Sequence, residues 1–320
     1  MIQFLHVRGH HYTLRPVLKA STAPAIRLQT YDSFLRARSA TAATHVFLDL
    51  DRLDPWSLQL AADLYRQLQQ AGVRVLNDPA RVKNRYALLR ALYRAGLNDF
   101  NIWRADEAAG VDRFPVFLRT THGHAAPVSG LLPDAAALAQ AIESLVTSGT
   151  PLENLLVISY VGEPVRPGLY RKESAFIIGD QVIPHESVHD DQWLVKYGKL
   201  GIGTPELYQE ELTAMQNNPH AAHLQKVFAL AGITYGRADF GFYQGRLQVY
   251  EVNGNPSVYA PSLHPSPLRT QSLQIAWEKY LAGLRAVDDT PPGPKIKLRD
   301  GAVQRRRAWK NLLVLSRKVP

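Results

Sequence analysis

The sequence predicts an α/β protein whose second part is α+β, and three observations carry that reading. Short apolar runs near the start alternate with a long helical segment, which is the pattern of a small layer built on a mainly parallel sheet. Further along, strand-like runs come in pairs joined by turn residues, Gly179-Asp180 and Gln244-Gly245, as antiparallel hairpins do. The last of these hairpins lies within Arg237 to Pro256, RADFGFYQGRLQVYEVNGNP, and collects two carboxylates and an amide.

Ile2 to Val7 and Ala25 to Gln29 read as strands, and His45 to Leu50, HVFLDL, as a stronger one. His10 and His11 fall at the end of the first strand, where α/β proteins often meet ligands. Asp54-Pro55 opens a helix with an acid at the N-cap, proline at the first helical position and Gly72 past its end. Val73 to Leu76 follows as a strand. Asn77 to Phe100 is a loop entering a helix closed by Gly96, with Lys83 and Arg85 near its start. Phe114 to Leu132 holds a run ending near Arg119 and then a loop with His122, Gly123, His124 and Gly130, whose backbone amides can cradle a phosphate.

Pro133 to Val146 reads as a helix, Leu155 to Val161 as a strong strand, and Tyr170 to Ile183 as two strands. His185 and His189 lie four apart beside Asp190-Asp191, which marks a polar loop. Without an HExxH pattern they read as substrate-binding loop histidines rather than a transition-metal site. Helices around Glu206 to Met215 and Ala221 to Ala231 precede the last hairpin, and Ser266 to Ala286 forms a closing helix.

Composition fits a globular enzyme. A chain of 320 residues, 46% hydrophobic and 20% charged, can bury a large core and form two or three subdomains. It has no cysteine, which removes disulfides, thiolate metal sites and cysteine nucleophiles together and fits a reducing compartment. The opening MIQFLHVRGHHY is too short and polar for a signal-peptide core, and no stretch approaches a membrane span, so a cytoplasmic protein is expected. The net charge of +9 is concentrated at one end: Lys295 to Pro320 carries nine Lys or Arg against one acid, leaving the rest of the chain at +1. The linker DDTPPGP, Asp288 to Pro294, sets that tail apart, and QRRRAWKNLLVLSRK within it can form a basic amphipathic helix, which either meets an anionic surface or partner groove or, as such tails more often do, packs its apolar side on the body with its charges in water.

The chemistry concentrates in the last hairpin. Side chains alternate along a strand, so Arg237 and Asp239 share one side, as do Glu251 and Asn253. Folding back at Gln244-Gly245 sets Asp239 opposite Tyr250 or Glu251, depending on a one-residue register that sequence leaves open. Neighbouring acids on paired strands repel, so a cation between them is expected. Mg²⁺ prefers oxygen ligands and is usually held by one or two carboxylates with substrate phosphates, which Asp239, Glu251 and Asn253 can supply. Arg237 aims a guanidinium at the same place.

The string R-x-D, then a hairpin, then E-V-N-x-N-P resembles the metal-binding segment of ATP-grasp ligases, the superfamily of glutathione synthetase, D-alanine–D-alanine ligase and the RimK-type enzymes. The resemblance implies an N-terminal α/β pre-ATP-grasp domain at 1–76, then an ATP-grasp domain at 77–287 with the nucleotide between the sheets of two subdomains. The linker and basic tail at 288–320 have no counterpart in it. It implies ATP and Mg²⁺ as cofactors, with Mn²⁺ as an alternative ion, and Asp239, Glu251 and Asn253 as metal ligands. Arg237 meets phosphate or an acyl-phosphate intermediate, and Asn255 of the same string joins it as a catalytic candidate. The family's phosphate lysine of the entry helix falls on Arg85, with Lys83 the nearest lysine, and the second falls on Arg119. The adenine hinge falls at Tyr160 and Val161, with Glu163 just beyond, and Arg171 or Lys172 is the basic residue facing substrate.

The implied activity joins a carboxylate, small-molecule or peptide, to an amine through an acyl phosphate. The two arginines at lysine positions keep a second reading open, a non-catalytic nucleotide-binding module whose basic tail docks on nucleic acid or an acidic partner. A nucleic-acid enzyme is disfavoured by the near-neutral body. A homo-oligomer is left open.

Overall fold

A computed structural model describes residues 1–123, 126–288 and 293–299. The first layer is a parallel sheet of order β2-β1-β4-β5, formed by β1 (Ile2–His6), β2 (Ile26–Thr30), β4 (Thr44–Phe47) and β5 (Val75–Leu76). Two one-turn helices, α1 (Arg15–Leu18) and α2 (Tyr31–Phe34), and a short strand, β3 (Ser39–Thr41), fill its connections. The long helix α3 (Pro55–Gln70) starts where the sequence places it, since Asp54 accepts hydrogen bonds from the amides of Trp56 and Ser57. Its buried Leu60, Leu64 and Leu68 recur at helical spacing and cover Leu5 and Phe47 of the sheet.

Helix α4 (Arg85–Arg94), capped by Asn84, leads to a three-stranded antiparallel sheet of order β6-β8-β7. Its strands are β6 (Ile102–Arg104), β7 (Val116–Thr120) and β8 (Leu155–Ser159), and α5 (Ala135–Thr147) packs on it through Leu138. A larger antiparallel sheet follows, order β10-β9-β11-β12, from β9 (Tyr170–Ile178), β10 (Gln181–Asp190), β11 (Tyr235–Tyr243) and β12 (Arg246–Asn253). Helices α6 (Pro205–Asn217), α7 (Ala221–Ala231) and α8 (Pro267–Val287) pack against it. Gly232 ends α7 with φ +73, and a Cβ there would stand 2.7 Å from the Arg81 carbonyl, so the position needs glycine for both its backbone and its space.

The structure departs from the sequence reading at strand β10. His185 and His189 lie in strand β10, which runs on to Asp190, rather than in a polar loop; both are buried, and after a bulge between Pro184 and Ser187 the pairing with β9 resumes as far as Asp190. The start of the tail packs on the body: β13 (Lys295–Lys297) pairs antiparallel with β3, and Leu298 is buried among Phe34, Phe47 and Leu68. The remaining tail, including the expected basic helix, lies outside the described residues.

One core cluster joins the first layer to the large sheet. Phe4 of β1 meets Tyr235 of β11 edge to face, and Phe176 of β9 meets Tyr280 of α8 in the same way. Asn77 ties the same seam with polar bonds. Its side-chain oxygen accepts from the Thr234 and Tyr235 amides, and its side-chain amide donates to the carbonyls of Phe47 and Tyr235. The residue is buried and has φ 62, a left-handed conformation that asparagine tolerates better than most side chains. Replacing it by alanine strands buried amides and carbonyls and strains the backbone. Asn77→Ala is expected to lower the unfolding free energy by about 3 kcal/mol in urea denaturation; a loss below about 1 kcal/mol would show that the amide does not hold the seam.

Candidate functional site

The hairpin register is now defined: Asp239 pairs with Glu251 and Arg237 with Asn253. Gln244 and Gly245 both have positive φ, 50 and 72, as the two central residues of a tight hairpin turn require. A register shift just after Asp239 leaves Tyr250 as an extra residue in β12, so the pairing resumes at Phe240 with Val249. The carboxylates of Asp239 and Glu251 are therefore set opposite each other on the end of the hairpin nearest the loop that follows it.

Each acid is met by two cations. Asp239 accepts from Arg237 Nε at 2.9 Å and from Lys172 Nζ of β9 at 3.1 Å. Burial opposes its ionisation, but the Arg237 guanidinium and Lys172 ammonium together hold its carboxyl below the usual range. Glu251 Oε2 accepts from Arg85 Nη2 at the start of α4 and from Arg119 Nη2 of β7, each at 3.4 Å. Four cationic side chains thus face two carboxylates, an arrangement that suits a polyanion.

Three cavities converge here. One of about 170 Å³ lies between the two antiparallel sheets and is lined by Arg119, Tyr160, Val161, Trp193, Asp239 and Glu251. Trp193 meets the rings of Phe117 and Tyr160 with centroids 5.3 and 5.2 Å away, giving this cavity an aromatic wall. A second, of about 680 Å³, is lined by Lys172, Glu186, Lys196, Arg237, Asp239 and Arg269. A third, of about 60 Å³, touches Arg85, Glu251 and Asn253 from the side of the first layer. Asp239 borders the first two and Glu251 the first and third, so the carboxylate pair stands at the junction.

The remaining sequence candidates are distributed unevenly. Arg85 faces the junction and is anchored by donating to the carbonyls of Thr120 and Gly123. Lys83 borders the third cavity, but its ammonium donates to the Leu230 carbonyl at the end of α7 at 2.6 Å. Tyr160 and Val161 line the aromatic cavity, but the Tyr160 amide is committed to the Pro115 carbonyl. Burial, helped by Tyr170, pushes the Tyr160 phenol up to about 12. Glu163 lines the same cavity and accepts from the Gln244 amide at 3.0 Å, which ties it to the hairpin turn. Asn253 accepts from the Asn255 amide at 2.9 Å.

Asn255 itself is not brought to the carboxylates. Its side chain donates to Asp49 Oδ1 at 2.9 Å and accepts from Thr13 Oγ1 at 2.8 Å, in a buried cluster where His10 Nδ1 lies 2.5 Å from Asp49. Of the two candidate basic residues on β9, Lys172 reaches Asp239, while Arg171 pairs with Glu173 and Glu210. Trp193 and Tyr250 line the aromatic cavity without having been found from sequence; no pattern marks Trp193, whereas Tyr250 was one of the two register alternatives.

The donor set is a hard, oxygen-only one. Among the described residues no group of three or more His, Cys, Asp or Glu gathers, so this is not a self-sufficient protein cage. Two carboxylates and an amide do fit Mg²⁺, an ion that keeps waters and takes further oxygens from a bound phosphate.

No protein-family model matches the sequence, and no match was found among curated proteins. Solved structures do match. D-alanine–D-alanine ligase from Bacillus anthracis is similar with a TM-score of 0.51 and 13% identity, covering 97% of this chain and 99% of that one. The ATP-grasp ligase PsnB, in complex with a phosphomimetic variant of its minimal precursor, Mg and ADP, is similar with a TM-score of 0.52 and 14% identity, covering 90% of this chain and 97% of that one.

The chain has the ATP-grasp fold. In this ATP-grasp fold the aromatic cavity lies between the two antiparallel sheets and the carboxylate pair lines it. Among the described residues no helix is long and apolar enough to cross a membrane.

The large cavity of the ATP-grasp fold carries two histidines on β10. Burial lowers His185 from 6.5 to about 4, and burial with the nearby Arg171 and Arg269 does the same to His189, so both are neutral at pH 7. An unfolded chain binds these protons at higher pH, so their share of stability is full above pH 6.5 and is lost as pH falls toward 4. Proton NMR titration of the two rings is expected to give midpoints near 4. A midpoint near 6.5 for either would contradict its burial in the cavity wall.

Proposed function

We propose that the protein is an ATP- and Mg²⁺-dependent ligase that joins a carboxylate to an amine through an acyl phosphate. The observation that carries this reading is the pair Asp239 and Glu251, directly opposed and surrounded by four cations where three cavities meet. Phosphoryl transfer asks little covalent help of a protein and much positioning and charge neutralisation, which this arrangement offers.

The base of ATP would lie against Tyr160 and Trp193, with its phosphates reaching Arg85 and Arg119. Asp239, Glu251 and Asn253 would hold the metal, which supplies neutralisation at the phosphate oxygens. Lys172 and Arg237 border the large cavity and would orient the substrate carboxylate for attack on the γ-phosphorus, releasing ADP. The amine would then displace phosphate from the acyl carbon. The large cavity has room for a small-molecule or a peptide substrate. The expected setting is the cytoplasm, with the first layer at 1–76 serving as an accessory domain to the catalytic part at 77–287.

Release of phosphate from ATP and Mg²⁺, measured across a panel of carboxylic acids and amines, tests the reading. A substrate-stimulated rate is expected in the wild type, and Asp239→Asn is expected to lower it at least about 100-fold. Arg85→Ala is expected to weaken ATP binding about tenfold or more. Lys83→Ala should leave ATP binding within about threefold, because its ammonium serves the end of α7. ATP binding with no stimulated release across the panel would favour a non-catalytic nucleotide-binding module. Near wild-type release by Asp239→Asn would remove the metal assignment.

A further inference from the structure

Glu251 stands in the grip of two guanidinium groups. Arg85 Nη2 and Arg119 Nη2 approach the same atom, Glu251 Oε2, each at 3.4 Å, and the two arginine side chains are only 10% and 18% exposed. Convergent guanidinium forks of this kind suit a multiply charged oxyanion such as a phosphate group better than a single carboxylate.

Arg85 is also held in place independently of Glu251. Arg85 donates to the carbonyls of Thr120 and Gly123, at the head of the loop that follows β7, so it keeps its position if the carboxylate leaves. Glu251 is the better placed of the two partners to move. It lies in the last three residues of β12, next to the Tyr250 irregularity, and its side chain is 21% exposed.

We propose that the Glu251 carboxylate is the resident anion of the Arg85–Arg119 clamp, that a nucleotide phosphate displaces it, and that only the displaced carboxylate is available to the metal. This rests on the nucleotide-binding reading above and adds to it a second role for Glu251, as competitor of the phosphate as well as metal ligand. A nucleotide without metal has to compete with Glu251, and a metal without nucleotide meets a carboxylate already engaged. Binding of the two is therefore coupled, and by linkage each strengthens the other by the same factor.

The sign of one substitution separates this from an ordinary ligand role. Calorimetric titration in excess EDTA is expected to show Glu251→Gln binding ATP about fivefold or more tighter than the wild type, because the internal competitor is gone. Inorganic tripolyphosphate should show the same tightening and adenosine none. The gain from adding Mg²⁺ should shrink in the same variant. Glu143→Gln, which removes an equal charge from an exposed side chain of α5 that accepts from Thr147, should change metal-free ATP binding less than about twofold. Glu251→Ser carries the same expectation should the glutamine variant fail to fold. Unchanged or weaker metal-free binding in these variants, or equal tightening by Glu143→Gln, overturns the displacement while leaving the nucleotide site intact. A wild type that binds ATP neither with nor without Mg²⁺ overturns both.

Discussion

The structure turns on two like charges placed face to face. Asp239 and Glu251 occupy paired positions on neighbouring strands, an arrangement that destabilises a sheet unless it is neutralised. Neutralisation comes from four elements at once: Lys172 from β9, Arg237 from β11, Arg85 from α4 and Arg119 from β7. The carboxylate pair thereby draws both antiparallel sheets and the entry helix to one point.

The rest of the fold keeps that point in register. The first parallel layer is joined to the large sheet by Phe4 on Tyr235 and by the four side-chain bonds of Asn77. On the other side, Asn255 reaches from the loop after β12 into the buried Asp49, His10 and Thr13 cluster at the ends of β1 and β4. Its backbone amide meanwhile donates to Asn253. One asparagine thus links the candidate metal amide to the parallel sheet. Asp49 adopts φ 54, a costly backbone for a residue other than glycine, which the surrounding hydrogen bonds hold in place.

Much of this was legible from local signals. The N-cap Asp54, the alternating apolar strands and the Gln244-Gly245 turn each report on a few adjacent residues, and each led to the element found. The hairpin chemistry was legible for the same reason, since side-chain alternation is a local rule. What depended on tertiary packing was not. The choice of Glu251 over Tyr250 opposite Asp239 is fixed by an irregularity within β12, and the orientation of Arg85 over Lys83 by the position of α7 against α4. His185 and His189 lie in a strand whose pairing with β9 outweighs the polar residues that follow. Asn255 and Leu298 find partners more than 200 positions away, a distance at which sequence pattern carries no signal.

A crystal structure with Mg²⁺ and a non-hydrolysable ATP analogue tests the central claim most directly. The account predicts one cation with oxygens of both Asp239 and Glu251 about 2.0–2.1 Å away, and a phosphate between Arg85 and Arg119 where the Glu251 carboxylate now sits. A nucleotide bound elsewhere, or a cation that leaves the two carboxylates on their present arginine and lysine partners, would contradict it.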